Sequence, residues 1–175
     1  MTKHFSGLAV LFLAAAVTAP ASAQDASRTF LVEQGNWWIS RLGTESCIAH
    51  NRPLPEFNAV PFNAVALQQA TGERQPLLQA LYWPKSFEAG AEFDLLIVPS
   101  SGKPFQYPVR AESDYHLRGL APLTEAEFGK LAVSTTVTLG GDATPQALVV
   151  DTKELDEVAV WLDECTSVAS PDPGN

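Results

Sequence analysis

From residue 36 onward the chain alternates short apolar runs with turn residues, at spacings that suit strands better than helices. Residues 36–42 are rich in aromatic and β-branched side chains. With Gly43-Thr44-Glu45 as a turn into residues 46–50, they predict a hairpin. Residues 65–69 and 77–83 are the next strand candidates, although 64–70 also fits one or two helical turns. The strongest strand pattern is 93–98, and the turn cluster Pro99 to Pro104 joins it to 105–111 as a second hairpin. Residues 116–119, 133–139 and 147–150 complete the strand set, with a turn at Gly140-Gly141-Asp142.

Two segments carry helical signals instead. Thr124 followed by Glu127 has capping-box spacing and predicts a short internal helix, weakened by Gly129. Near the end, Leu155, Val158, Ala159 and Leu162 fall at i, i+3, i+4 and i+7, and Cys165 extends that stripe. Asp151 and Glu154 share the capping-box spacing, with Thr152 as an alternative cap, so this helix is expected to start there. Glu157, Asp163 and Glu164 collect on its other face as solvated charge. Together these elements predict a mainly β fold: an antiparallel β-sandwich or open barrel with a short internal helix and a C-terminal helix tied by one disulfide.

The disulfide follows from compartment and helix phase. Lys3, the apolar run 5–20 and Ala21-Ser22-Ala23 have the form of a cleaved secretory signal, which assigns 1–23 to a signal peptide and predicts a periplasmic or secreted protein. The apolar run is shorter than the roughly 20 residues a spanning helix needs, so no stable membrane insertion is expected after cleavage. Residues 24–34 are read as an N-terminal arm, 35–165 as a single β-rich domain and 166–175 as a flexible tail. In an oxidising compartment the two cysteines, Cys47 and Cys165, are expected to pair, and the helical stripe already turns Cys165 toward the core. Strand period sets Cys47 and Ala49 on one face and Ile48 and His50 on the other, which separates His50 from the thiol it follows.

A formal net charge of -9, with no basic cluster, argues against a nucleic-acid partner. Little else looks like chemistry. No nucleophile elbow, phosphate loop, dinucleotide fingerprint or zinc-protease motif is present, so no catalytic residue, metal site or cofactor is assigned. Ser113-Asp114-Tyr115-His116 contains the residue types of a hydrolase triad, but strand neighbours point apart where a triad must converge. Asp114 and His116 would share a strand face and suit a metal only with His50 as a third ligand. Trp37, Trp38, Trp83 and Trp161 are expected to pack in the core and on the sheet. The outward member of the pair Trp37 and Trp38 is the candidate binding surface, with the proline-rich stretch 52–61 as its possible cover.

The order Trp37 or Trp38, Cys47-Ile48-Ala49, Trp83, Phe93-Asp94-Leu95-Leu96-Ile97, Leu148-Val149-Val150, then Trp161-Leu162 and Cys165 resembles small exported bacterial proteins of the invasion-associated locus B type. That resemblance spans most of the chain after residue 23. It implies a compact β-rich periplasmic domain with a role in envelope function or host-cell association and no established enzymatic activity. The chain departs from the pattern in lacking a further cysteine pair and in having Val150-Asp151-Thr152-Lys153 before the last helix. Three functional expectations follow: a non-enzymatic binding protein with an envelope or exported partner, an inhibitor-like module inserting its arm into an exported protease, and a small hydrolase or metal enzyme built on His50, Asp114 and His116.

Overall fold

A computed structural model describes residues 28–43, 45–51, 63–83 and 86–167. Residues 1–23, read as a signal peptide, the start of the stretch read as an arm, the proline-rich stretch 52–61 and the residues from 168 onward lie outside the described residues. Among the described residues ten strands form one sheet: β1 (Arg28–Gln34), β2 (Trp37–Leu42), β3 (Ser46–Asn51), β4 (Ala64–Ala70), β5 (Leu77–Leu81), β6 (Glu92–Pro99), β7 (Phe105–Ala111), β8 (His116–Gly119), β9 (Thr136–Gly140) and β10 (Leu148–Asp151). Helix α1 (Glu125–Ala132) lies between β8 and β9, and α2 (Leu155–Ser167) follows β10. The spatial order is β1-β2-β3-β4-β5-β8-β7-β6-β9-β10, with every neighbouring pair antiparallel. The mainly β, open antiparallel architecture is therefore the one the strand pattern implies.

The sheet curls on itself because one face of nearly every strand is apolar. Trp37 and Ile39 of β2, Val65 and Leu67 of β4, Leu95 and Ile97 of β6, and Leu148 and Val150 of β10 belong to one buried cluster. A small cavity of about 20 Å³ is lined jointly by Trp37, Leu67, Ile97, Leu139, Val150 and Leu155, which brings strands from both halves of the order to one point. Burial also pushes the Tyr107 phenol up to about 12, and its hydroxyl accepts from Leu78 N–H at 3.2 Å while donating to the Ala121 carbonyl. Gly119 sits where that ring passes; a methyl group there would lie 2.6 Å from the Tyr107 Cζ.

Polar contacts fasten the first turn of the sheet to its last. The Asn51 amide donates to the Asp151 carbonyl at 2.8 Å, Asn36 to the Asp151 carboxylate at 3.4 Å, and Gln34 to Glu157. The Glu154 carboxylate lies over Gly35, whose φ of +55° and missing side chain make room for it. Helix α2 packs across β1, β2, β3 and β4. It buries Leu155, Val158, Leu162 and Cys165, and Cys165 is bonded to Cys47 with the Cα atoms 6.1 Å apart.

Three local expectations are corrected. Residues 28–34, assigned to a free arm, are the edge strand β1, because β2 offers an unpaired edge that Glu33 and Gln34 join opposite Trp38 and Trp37. An inserting arm would thus be confined to residues before 28. The start of α2 is later than the capping-box spacing suggests. Asp151 completes the pairing of β10 with Thr136, its Oδ1 accepts from Lys153 N–H at 2.9 Å, and the Thr152 hydroxyl donates to the Ser134 carbonyl at 2.7 Å. The helix then begins after Glu154, which takes φ +66°. Finally, α2 runs through Ser167, two residues into the stretch read as tail. The capping box of α1 is present as expected: the Thr124 hydroxyl accepts from Glu127 N–H at 3.2 Å, and the Glu127 carboxylate accepts from Thr124 N–H at 2.8 Å.

Candidate binding face

The period of two divides the tryptophan pair. Trp37 faces inward and is 2% exposed, so it belongs to the core and offers no binding surface. Trp38 lies on the outer face, half-buried, and stacks on His50 across the β2–β3 ladder with ring centroids 5.8 Å apart. The expectation of core packing for the other tryptophans is also corrected. Trp83 leaves the end of β5 outward and is 41% exposed, and Trp161 stands on the solvent side of α2.

The outer face carries a directed chain of hydrogen bonds along β3, β4, β5 and β8. The Gln68 amide donates to the Ser46 hydroxyl at 3.0 Å, and the Gln79 amide donates to the Gln68 carbonyl oxygen at 2.5 Å. Gln79 Oε1 lies 2.8 Å from His116 Nε2, where it can accept from the imidazole tautomer protonated on that nitrogen. Burial, the largest influence, holds the His116 pKa below its usual value; the Glu112 charge opposes this and the Arg118 charge adds to it. These amides are fixed by their neighbours before any ligand arrives.

At the β5–β8 end of this chain the face opens into a recess of about 330 Å³ lined by Leu81, Tyr82, Trp83 and Tyr115. Leu81 pairs with His116 in the ladder, so the recess adjoins the end of the amide chain. Tyr115, like Trp83, is more than two-fifths exposed. The Trp83 N–H donates to Asn63 Oδ1 and its carbonyl accepts from Gln146 Nε2 at 2.9 Å, so the aromatic side chain projects from a held backbone. An aromatic wall beside ordered amides suits stacking plus hydrogen bonding, the combination that binds flat or ring-shaped polar ligands.

The catalytic candidates take other arrangements. The Ser113 hydroxyl accepts from Tyr115 N–H at 3.5 Å, the Asp114 carbonyl accepts from Ser86 and Phe87 N–H groups, and the His116 ring turns to Gln79. His50 is on β3 and His116 on β8, with β4 and β5 between them. Among the described residues no group of three or more histidine, cysteine, aspartate or glutamate side chains has the arrangement of a metal site. Cys47 is held in its disulfide, 1% exposed. Among the described residues no helix is long and apolar enough to cross a membrane.

Sequence reasoning passed over Trp83, Tyr115 and the Gln68–Gln79 chain. A signal was present in LLQALYW, where alternation puts Leu77, Gln79, Leu81 and Trp83 on one face. No family model, no curated protein and no solved structure matches this chain.

Proposed function

We propose that this chain is an exported, non-enzymatic binding protein of the bacterial envelope that takes its ligand on the outer face of the sheet, at the recess walled by Trp83 and Tyr115. The observation that carries this reading is the exposure of two large aromatic side chains, at 41% and 42%, around one recess at the end of an ordered amide chain. Exposed aromatics of this size, clustered rather than scattered, are characteristic of contact surfaces. Export is supported by the signal-like residues 1–23 and by the disulfide, a bond that persists in oxidising compartments. The resemblance to invasion-associated locus B-type proteins agrees with an envelope role and rests on the residues quoted for it. Trp38, stacked on His50, forms the far side of the same face. Replacing Trp83 and Tyr115 together with alanine tests the reading: loss of retention by isolated envelope is expected, and unchanged retention would refute it.

A further inference from the structure

On the same outer face, toward the other end of β5 and β8 from the aromatic recess, lies a second and smaller cleft of about 140 Å³. Arg118, Gln75, Gln68, Leu77, Pro122 and Glu73 line it. Arg118 stands directly opposite Arg110 in the β7–β8 ladder, and like charges in that position repel. Arg110 is neutralised by Glu92, which accepts from its Nε at 2.9 Å and from a terminal nitrogen at 2.5 Å. The Arg118 side chain makes no hydrogen bond or ion pair among the described residues. Its other cross-strand neighbour, Gln79, already spends its amide on Gln68 and its oxygen on His116. Gln75 likewise has no side-chain partner among the described residues. A guanidinium and an amide, both with donors to spare, therefore border one cleft that Ala70, Leu77 and Pro122 line with apolar surface and Gln68 and Glu73 with polar surface.

We infer that this cleft binds a single carboxylate group carried on a short apolar body, with Arg118 as its fork-shaped anchor and Gln75 as a second donor. One unpaired positive charge matches one negative charge. Glu73 on the rim and a chain of net charge -9 both penalise a dianion such as phosphate more heavily than a monoanion. The planar guanidinium accepts a carboxylate through two parallel hydrogen bonds, a geometry that lysine does not reproduce. Arg118 and His116 are two residues apart on β8, about 7 Å along the strand, so a carboxylate here would lie next to the ladder position that borders the recess. The cleft stands on its own residues, and its test involves neither Trp83 nor Tyr115.

The test is a titration of isotope-labelled protein, at constant ionic strength, with butanoate, with the isosteric butanamide and with inorganic phosphate, followed by the NMR signals of the Arg118 Nε–H and the Gln75 side-chain amide. Butanoate is expected to shift both signals saturably, with butanamide and phosphate binding at least roughly tenfold more weakly. Arg118→Gln should abolish the saturable response, Arg118→Lys should weaken it about tenfold, and Gln75→Ala should weaken it while leaving the amide backbone spectrum native. Equal shifts from butanoate and butanamide, tighter binding of phosphate, or an unchanged response in Arg118→Gln would each overturn the inference. Because none of these outcomes depends on the aromatic recess, failure here leaves the outer-face reading standing, and failure of that reading leaves this one testable.

Discussion

Opening the bridge between Cys47 and Cys165 perturbs the whole chain, because the loop it closes spans 118 positions. On the chain-entropy model, a loop of that length removes about 5 kcal/mol of conformational freedom from the unfolded state at room temperature. The native state adds a local term. Cys165 ends the buried stripe of α2, its carbonyl accepts from Arg41, and Cys47 is enclosed in the core, so the helix is tied to β3 where it also packs on β2 and β4. A Cys47→Ala, Cys165→Ala variant is thus expected to lose about 4 to 5 kcal/mol, a large share of the 5 to 15 kcal/mol typical of a folded domain. Urea unfolding followed by far-ultraviolet circular dichroism measures it. The account predicts a lower midpoint and a steeper dependence on urea, because the unbridged denatured chain exposes more surface. Equal stability of the bridged and unbridged proteins, within about 1 kcal/mol, would refute the entropic argument.

Two further outcomes follow from packing and titration. Gly119→Ala forces a methyl group into the Tyr107 ring, and is expected to cost about 2 to 4 kcal/mol through overpacking and loss of the phenol's hydrogen bonds; an unchanged unfolding midpoint would contradict that placement. The folded-state pKa of His116 lies below its ordinary 6.5, so the unfolded chain binds the proton more readily. Stability that is intact above pH 6.5 should therefore fall as pH drops from 6.5 toward the folded-state value. His116→Gln should remove that part of the slope in a pH series of urea midpoints, and identical slopes for the two proteins would dispose of it.

Much of this fold was legible because local pattern and global packing agree. The alternation in 46–50 sets Cys47 and Ala49 inward and His50 outward, and α2 buries Leu155, Val158, Leu162 and Cys165, while Ala159 of the same stripe is half-buried. The capping box at Thr124 is a purely local device and was readable for that reason. The identical spacing at Asp151 and Glu154 misled, since Asp151 pairs with Thr136 and Thr152 bonds Ser134, both partners distant in sequence. β1 was missed for the same reason: its strand character depends on the free edge of β2. At the candidate site, alternation gave the face of Trp83 but not its exposure, which depends on whether another element covers it. Nothing local in the sequence singles out Arg118; the register sets it opposite Arg110, and Glu92 pairs with that neighbour instead.

The central claim is that the Trp83 and Tyr115 recess is the ligand-contacting part of the molecule. Its most direct test is quantitative co-sedimentation of the purified protein with isolated bacterial envelope, comparing the Trp83→Ala, Tyr115→Ala double variant with Trp161→Ala, which removes an exposed aromatic from α2 instead. Loss of aromatic anchors at about 2 kcal/mol corresponds to roughly thirtyfold weaker binding. The account predicts at least that loss for the double variant, with native circular dichroism and with Trp161→Ala binding as wild type does. Equal binding by the double variant and wild type, or an equal loss in Trp161→Ala, would contradict it.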